Sequence, residues 1–194
     1  MKASRMISYV GAGMLGGLVG KMVMKPVSDQ LYKWEPEKVR RQEDAVHPGQ
    51  PSRLAAERLK KRLKADLSEG QVKGLARTLY YGSGAVYGPL YPILRKNAKL
   101  PPVAAGLITG AAMWLDIDEI LTPSLELSAP NRSYPAITHA RRLAAHLVYG
   151  LTVAATAEAL FRLMERIPER LEKPEQEEIE KSLMAREESA VAAS

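Results

Sequence analysis

Cysteine is absent from the 194 residues, which removes disulfides, thiol nucleophiles and Cys-ligated zinc and leaves the redox compartment open. Aromatic residues make up 6% and include a single Phe, so a large aromatic core is excluded. Alternation of apolar and polar residues at period two is missing throughout, which excludes strands and makes the expected fold all-α. No set of nucleophile, base and orienting group can be assembled, so an enzyme is not expected. Also missing is an uncharged run of about 18–20 residues, the mark of an unambiguous membrane-spanning helix.

What is there falls just short of that mark. Four segments, Met6–Met24, Thr78–Leu94, Leu100–Leu121 and Leu143–Met164, hold uncharged runs of 15 to 17 residues. They are apolar around most of their circumference, whereas a surface helix of a soluble bundle has one apolar stripe and a charged back. Three of them repeat glycine at four-residue spacing: Gly13/Gly17 and Gly16/Gly20, Gly84/Gly88, and Gly106/Gly110. Glycine costs about 1 kcal/mol in a helix in water, but in lipid small residues let helix backbones approach closely. Lys21, Lys25, Arg95 and Arg162 are placed to lengthen the spans by reaching for the interface. The expectation is a four-helix transmembrane bundle over residues 1–166, followed by a charged tail, 167–194, that Pro174 should interrupt. The bland alternative is a soluble helical-bundle adaptor.

Net charge is +6, but it is patterned: residues 26–77 hold 12 Lys/Arg against 8 Asp/Glu, while 165–194 hold 5 against 9. Within the basic stretch, "SRLAAERLKKRLKAD" (52–66) reads as an amphipathic helix with Ala55, Leu59 and Leu63 as its stripe and Ala56 and Leu67 beside it. Beside membrane spans such a helix fits anionic lipid headgroups; a solvated face resting on the bundle fits equally. No recognition motif accompanies the charge, so nucleic acid is not an expected partner. "GAGMLG" at Gly11–Gly16 has the dinucleotide spacing, but no second strand or ribose-binding acid follows it.

Helix punctuation is clear. Pro26 is expected to close the first helix; "SEGQ" (Ser68–Gln71) has capping-box spacing; Pro89 and Pro92 should kink or break the second segment; and Pro101–Pro102 suit a helix start. Lys2 and Arg5 precede the first apolar run without a small-x-small cleavage site, so that run reads as an uncleaved anchor.

The polar residues within the apolar segments are the candidate site. The third segment ends in Asp116, Asp118 and Glu119, and the fourth carries His139, Arg142, His146 and Tyr149 at intervals of three and four, one side of a helix. Ionisable groups at membrane depth need partners. With the third and fourth helices antiparallel, Asp116 and Glu119, sharing a face, are expected to meet Arg141, Arg142 and His139, with Asp118 pointing elsewhere. Such a corner locks two helices; it also suits a titrating His. His139 and His146 at i, i+7 with an acid would allow a metal, but no supporting groups can be identified, so neither metal nor cofactor is expected.

At "DEILTP" and "YPAITHARRLAAHLVYG" (Tyr134–Gly150) the sequence resembles the YagU-like bacterial inner-membrane proteins, a domain family of unknown function. The similarity spans about residues 6–166, outside the loop 27–75. It implies a small multispanning bacterial inner-membrane protein without assigned catalysis, and it carries Asp118, Glu119, Pro123, His139, Arg142, His146 and Tyr149 as family-like positions. With four spans both termini fall on one side, and Lys2, Arg5, Arg95, Lys96, Lys99 and Arg162 make that side cytoplasmic under the positive-inside rule; the basic loop 26–77 runs against it. The reading is a structural or pH-sensing membrane protein, with a small transporter or channel component as the competitor. The glycine faces could also join two copies into a homo-oligomer.

Overall fold

The computed structural model describes the backbone of residues 3–192 and the side chains of 6–166. Helix accounts for 84% of the chain, and the described residues contain no strand. Two compact units are present, Met1–Ala157 and Glu158–Ser194. The second is the continuation of the last helix, which runs through Pro168 and Pro174 to Ala192, so the interruption expected at Pro174 is absent from the described backbone.

In the first unit, α1 spans Ala3–Trp34 and contains Pro26. The expected stop there is not used. A proline in a helix removes one hydrogen bond and crowds the preceding turn, yet the chain beyond it is tied down: the Tyr32 hydroxyl donates to Asp44 at 2.7 Å and Glu35 accepts from Arg141 at 2.9 Å. Tertiary contacts outweigh a local preference of this size. The polar stretch that follows is folded rather than a loop. It forms α2 (Glu37–Val46) and α3 (Pro51–Arg62). The latter ends four residues before the expected boundary, where Lys64 adopts a positive φ of 50°. Ala56 of α3 is buried with Val72 and Ala76, on which Leu67 and Leu75 also rest.

The capping box forms as its spacing predicts. Ser68 Oγ accepts from the Gln71 N–H at 3.4 Å and Gln71 Oε1 accepts from the Ser68 N–H at 2.8 Å, opening α4 (Glu69–Tyr87). Pro89 and Pro92 break the segment into a short α5 (Leu90–Pro92) and a π-helical turn, Ile93–Asn97. Pro102 starts α6 (Pro102–Met113), which widens into a second π-helical run, Trp114–Leu121, before α7 (Thr122–Ser124), a 3₁₀ turn at Asn131–Ser133, and α8 from Ala136.

Glycines mark where backbones touch. A Cβ on Gly17 would overlap the Gly84 carbonyl, and one on Gly13 would lie 2.8 Å from Gly88 O, so α1 and α4 run antiparallel. Gly16 and Gly20 meet Val153 and Tyr149 of α8; Gly106 and Gly110 meet Gly150 and His146. Every glycine pair singled out in the sequence is thus occupied by another helix of the same chain, and none is left open for a second copy.

Large apolar side chains stand on the outer faces of four helices. Ile7 (72% exposed) and Met22 on α1, Val86 (74%) on α4, Val103 and Ile108 on α6, and Leu151 on α8 all stand exposed. Two helices, Met6–Trp34 and Ala136–Arg166, are long and apolar enough to cross a bilayer, and only 39% of the apolar window of each is buried. The middle two apolar segments are divided by the prolines and the π turns.

Candidate functional site

Polar groups gather at one end of the first unit, where α1 finishes and α8 begins. The outermost layer is ionic. Arg141 Nε donates to Glu35 Oε1 at 2.9 Å and its Nη2 to Glu43 Oε2 at 2.6 Å; Arg142 Nη2 reaches Glu43 Oε1 at 3.2 Å, and Thr138 Oγ1 donates to Glu43 Oε2 at 3.3 Å. All four charged side chains are largely withdrawn from solvent, with 5–16% of each exposed. The Arg141 guanidinium lies over the Tyr32 ring and that of Arg142 over Tyr134. Two carboxylates balance two guanidiniums. That neutrality is what permits burial, since an unpaired buried charge costs several kcal/mol.

This corrects the expected pairing. Arg141 and Arg142 bond to acids of α1's end and α2, not to those at 116–119. The physical reason is α2: the chain after Trp34 folds back over the helix ends and brings Glu43 within reach first.

The acids of the third segment take other partners, because the π-helical run changes the direction in which successive side chains leave the helix. Asp116 is exposed and accepts from the Tyr87 hydroxyl of α4. Glu119 points to α8 and meets His139, as expected: Oε1 lies 2.6 Å from Nδ1, while His139 Nε2 faces the Asn131 carbonyl at 3.2 Å. Both ring nitrogens therefore face oxygens. A carbonyl can only accept, so Nε2 bears a hydrogen, and the contact with Glu119 needs a second proton, on the imidazole or on the carboxyl.

Asp118 does not point away from α8, contrary to expectation. Its Oδ2 lies 3.8 Å from His146 Nδ1, and its charge acts on both His146 and Lys21. His146 is 1% exposed. Its Nδ1 donates to the Arg142 carbonyl at 2.9 Å, which leaves Nε2 carrying a lone pair, buried and without a hydrogen-bond partner. Lys21 does not reach for an interface; it is 4% exposed, with Nζ 4.7 Å from the centre of the Tyr80 ring. Tyr149, on the same side of α8, donates its hydroxyl to Gly84 O at 2.8 Å and is buried.

The site thus unites Asp118, Glu119, His139, Arg142, His146 and Tyr149 along α8 and its neighbours, and places Asp116 apart. Lys21, Glu35, Glu43 and Tyr80 were missed. Lys21 left a signal, one cation inside the first apolar segment; Glu35 and Glu43 left none, because their partners lie about a hundred positions away. Among the described residues no three His, Asp or Glu side chains are arranged to hold a metal ion. Near the outer layer, the exposed His47 imidazole is held below its ordinary 6.5, first by partial desolvation and then by repulsion from Arg142, against the opposing pull of Glu43 and Asp44.

On α3 and the turn after it the basic residues divide. Arg58 donates to the Leu125 and Glu126 carbonyls and Lys60 to the Leu67 carbonyl, while Lys61, Arg62 and Lys64 are exposed beside Leu63, itself 67% exposed. No family model, no curated protein and no solved structure matches the chain.

Proposed function

We propose that the chain is a four-span bacterial inner-membrane protein that responds to protonation and is not a catalyst. The observation that carries this reading is an inside-out distribution. Large apolar side chains face outward on α1, α4, α6 and α8, while Lys21, His146 and Tyr149 are sealed between the helices. Water would oppose both halves of that arrangement; a bilayer favours the first and makes partners obligatory for the second. The resemblance to the YagU-like proteins accords with it.

The responsive element is the series His139–Glu119 and His146–Asp118–Lys21, which joins α1, the π-helical run and α8. A proton added to His146 Nε2, or exchanged at the His139–Glu119 contact, changes the charge between helices that touch through backbone. The termini lie on the cytoplasmic side, and Lys61 and Arg62 of α3, with Lys64 just beyond it, rest near anionic headgroups.

Two measurements test the reading. Membranes washed at high pH and high salt without detergent should retain the protein, and release into the supernatant identifies a soluble adaptor instead. In detergent, with His47→Gln as the parent so that the imidazole capping α2 is silent, protease accessibility of the turns flanking α2 should change between pH 5 and 8, and adding His139→Gln/His146→Gln should remove the change. An unchanged profile in the parent removes the sensing role.

A further inference from the structure

Where α1 ends and α8 begins, a shallow open groove is lined by Leu31, Trp34, Glu35, Pro36, Ile137 and Arg141. We infer that it seats a phospholipid whose headgroup ends in a primary ammonium, phosphatidylethanolamine; the inference rests on the membrane reading above. The two long helices end and begin at this level, at Trp34 and Ala136, past Lys25 on one and before Leu143 on the other, so in a bilayer the groove lies on the headgroup side of the hydrocarbon. Trp34, 72% exposed, is the residue type that favours the membrane–water interface. Leu31, Pro36 and Ile137 offer an acyl chain an apolar wall.

The headgroup preference follows from Glu35. Its side chain is 5% exposed, and its Oε1 is taken by Arg141. Oε2 is buried and has no partner, and of the four carboxylate oxygens of Glu35 and Glu43 it is the one left unmatched. An unmatched buried acceptor calls for a donor. Arg141 is committed on both sides, to Glu35 and Glu43. A primary ammonium brings N–H donors to Oε2 and a cation to the Trp34 face. Charge points the same way. Glu35 and Glu43 already balance Arg141 and Arg142, so a zwitterion leaves the layer neutral, whereas an anionic lipid sets a negative charge beside Glu35. A quaternary choline headgroup is neutral overall but has no N–H to donate.

The test uses the purified full chain in mild detergent, with phosphatidylethanolamine, phosphatidylcholine, phosphatidylglycerol or free ethanolamine added. Lipid retention is read by native mass spectrometry and the unfolding midpoint by circular dichroism. Phosphatidylethanolamine should be retained about tenfold more strongly than the other two lipids, the scale of one charge-assisted hydrogen bond, and should raise the midpoint. Glu35→Gln should abolish that preference. Should Glu35→Gln fail to fold, Trp34→Ala decides, since its exposed ring can be removed without unfolding and its loss should weaken the preference. Equal retention of all three lipids, a preference unchanged in both variants, or full protection by free ethanolamine overturns the inference. Release of the protein from washed membranes overturns the membrane reading itself, so the two failures are distinguishable.

Discussion

Two glycines of the same helix should answer oppositely to the same substitution. Gly11 and Gly17 both lie in α1; a Cβ at Gly11 meets nothing within 4 Å, whereas one at Gly17 overlaps the Gly84 carbonyl oxygen and lies 2.6 Å from its carbon. The oxygen lies nearer still than the carbon, and side-chain Cβ atoms essentially never come within 3.0 Å of another group, so α1 and α4 would have to move apart to admit the methyl. Both are backbone groups that cannot rotate aside. Overpacking of this kind costs about 1–3 kcal/mol, and alanine regains up to about 1 kcal/mol of helix preference. Gly17→Ala should therefore lose about 0–3 kcal/mol net, and Gly11→Ala should be neutral or gain up to about 1. Thermal unfolding in detergent, followed by circular dichroism, compares the two directly. If Gly17→Ala melts at or above Gly11→Ala, the close approach of α1 and α4 is wrong, and with it the account of the glycine pairs.

Glu43→Gln should free α2 from α8, because one carboxylate serves Arg141, Arg142 and Thr138. Breaking a buried pair costs about 3–5 kcal/mol, and faster proteolytic cleavage between residues 46 and 51 would report it. Lys21→Met alone should destabilise by leaving Asp118 without its nearby cation, and Lys21→Met/Asp118→Asn should recover most of the loss; additive melting shifts would show that the two do not interact. His47 should titrate by NMR with a midpoint below 6.5. A histidine depressed in the folded state favours the neutral form there, so its contribution to stability is present above pH 6.5 and lost as pH falls toward the folded midpoint. His47→Gln should flatten that part of the pH–stability curve.

Local chemistry was legible in the sequence and distant pairing was not. Ser68 and Gln71 announce α4 because both halves of the cap lie within four residues, and Pro102 announces α6 for the same reason. Pro26 misled, since its local veto is outweighed by contacts that Tyr32 and Glu35 make beyond it. His139 and Glu119 were paired correctly because a short connection brings their helices together. Arg141 and Arg142 were mispaired because Glu35 and Glu43 lie 106 and 98–99 positions earlier, in a stretch whose composition reads as loop. Asp116 and Asp118 exchanged roles because ordinary helical phase was assumed where the backbone is wider.

That wider run, Trp114–Leu121, holds its register by spending one more residue per hydrogen-bonded loop than the helix before it. The segment should accordingly forgive exchanges of side chain at Leu115 or Ile120, which stand exposed, far more readily than any change in length. Deleting a single residue there would restore ordinary winding, carry Asp118 and Glu119 round the axis, and strand both histidines at once.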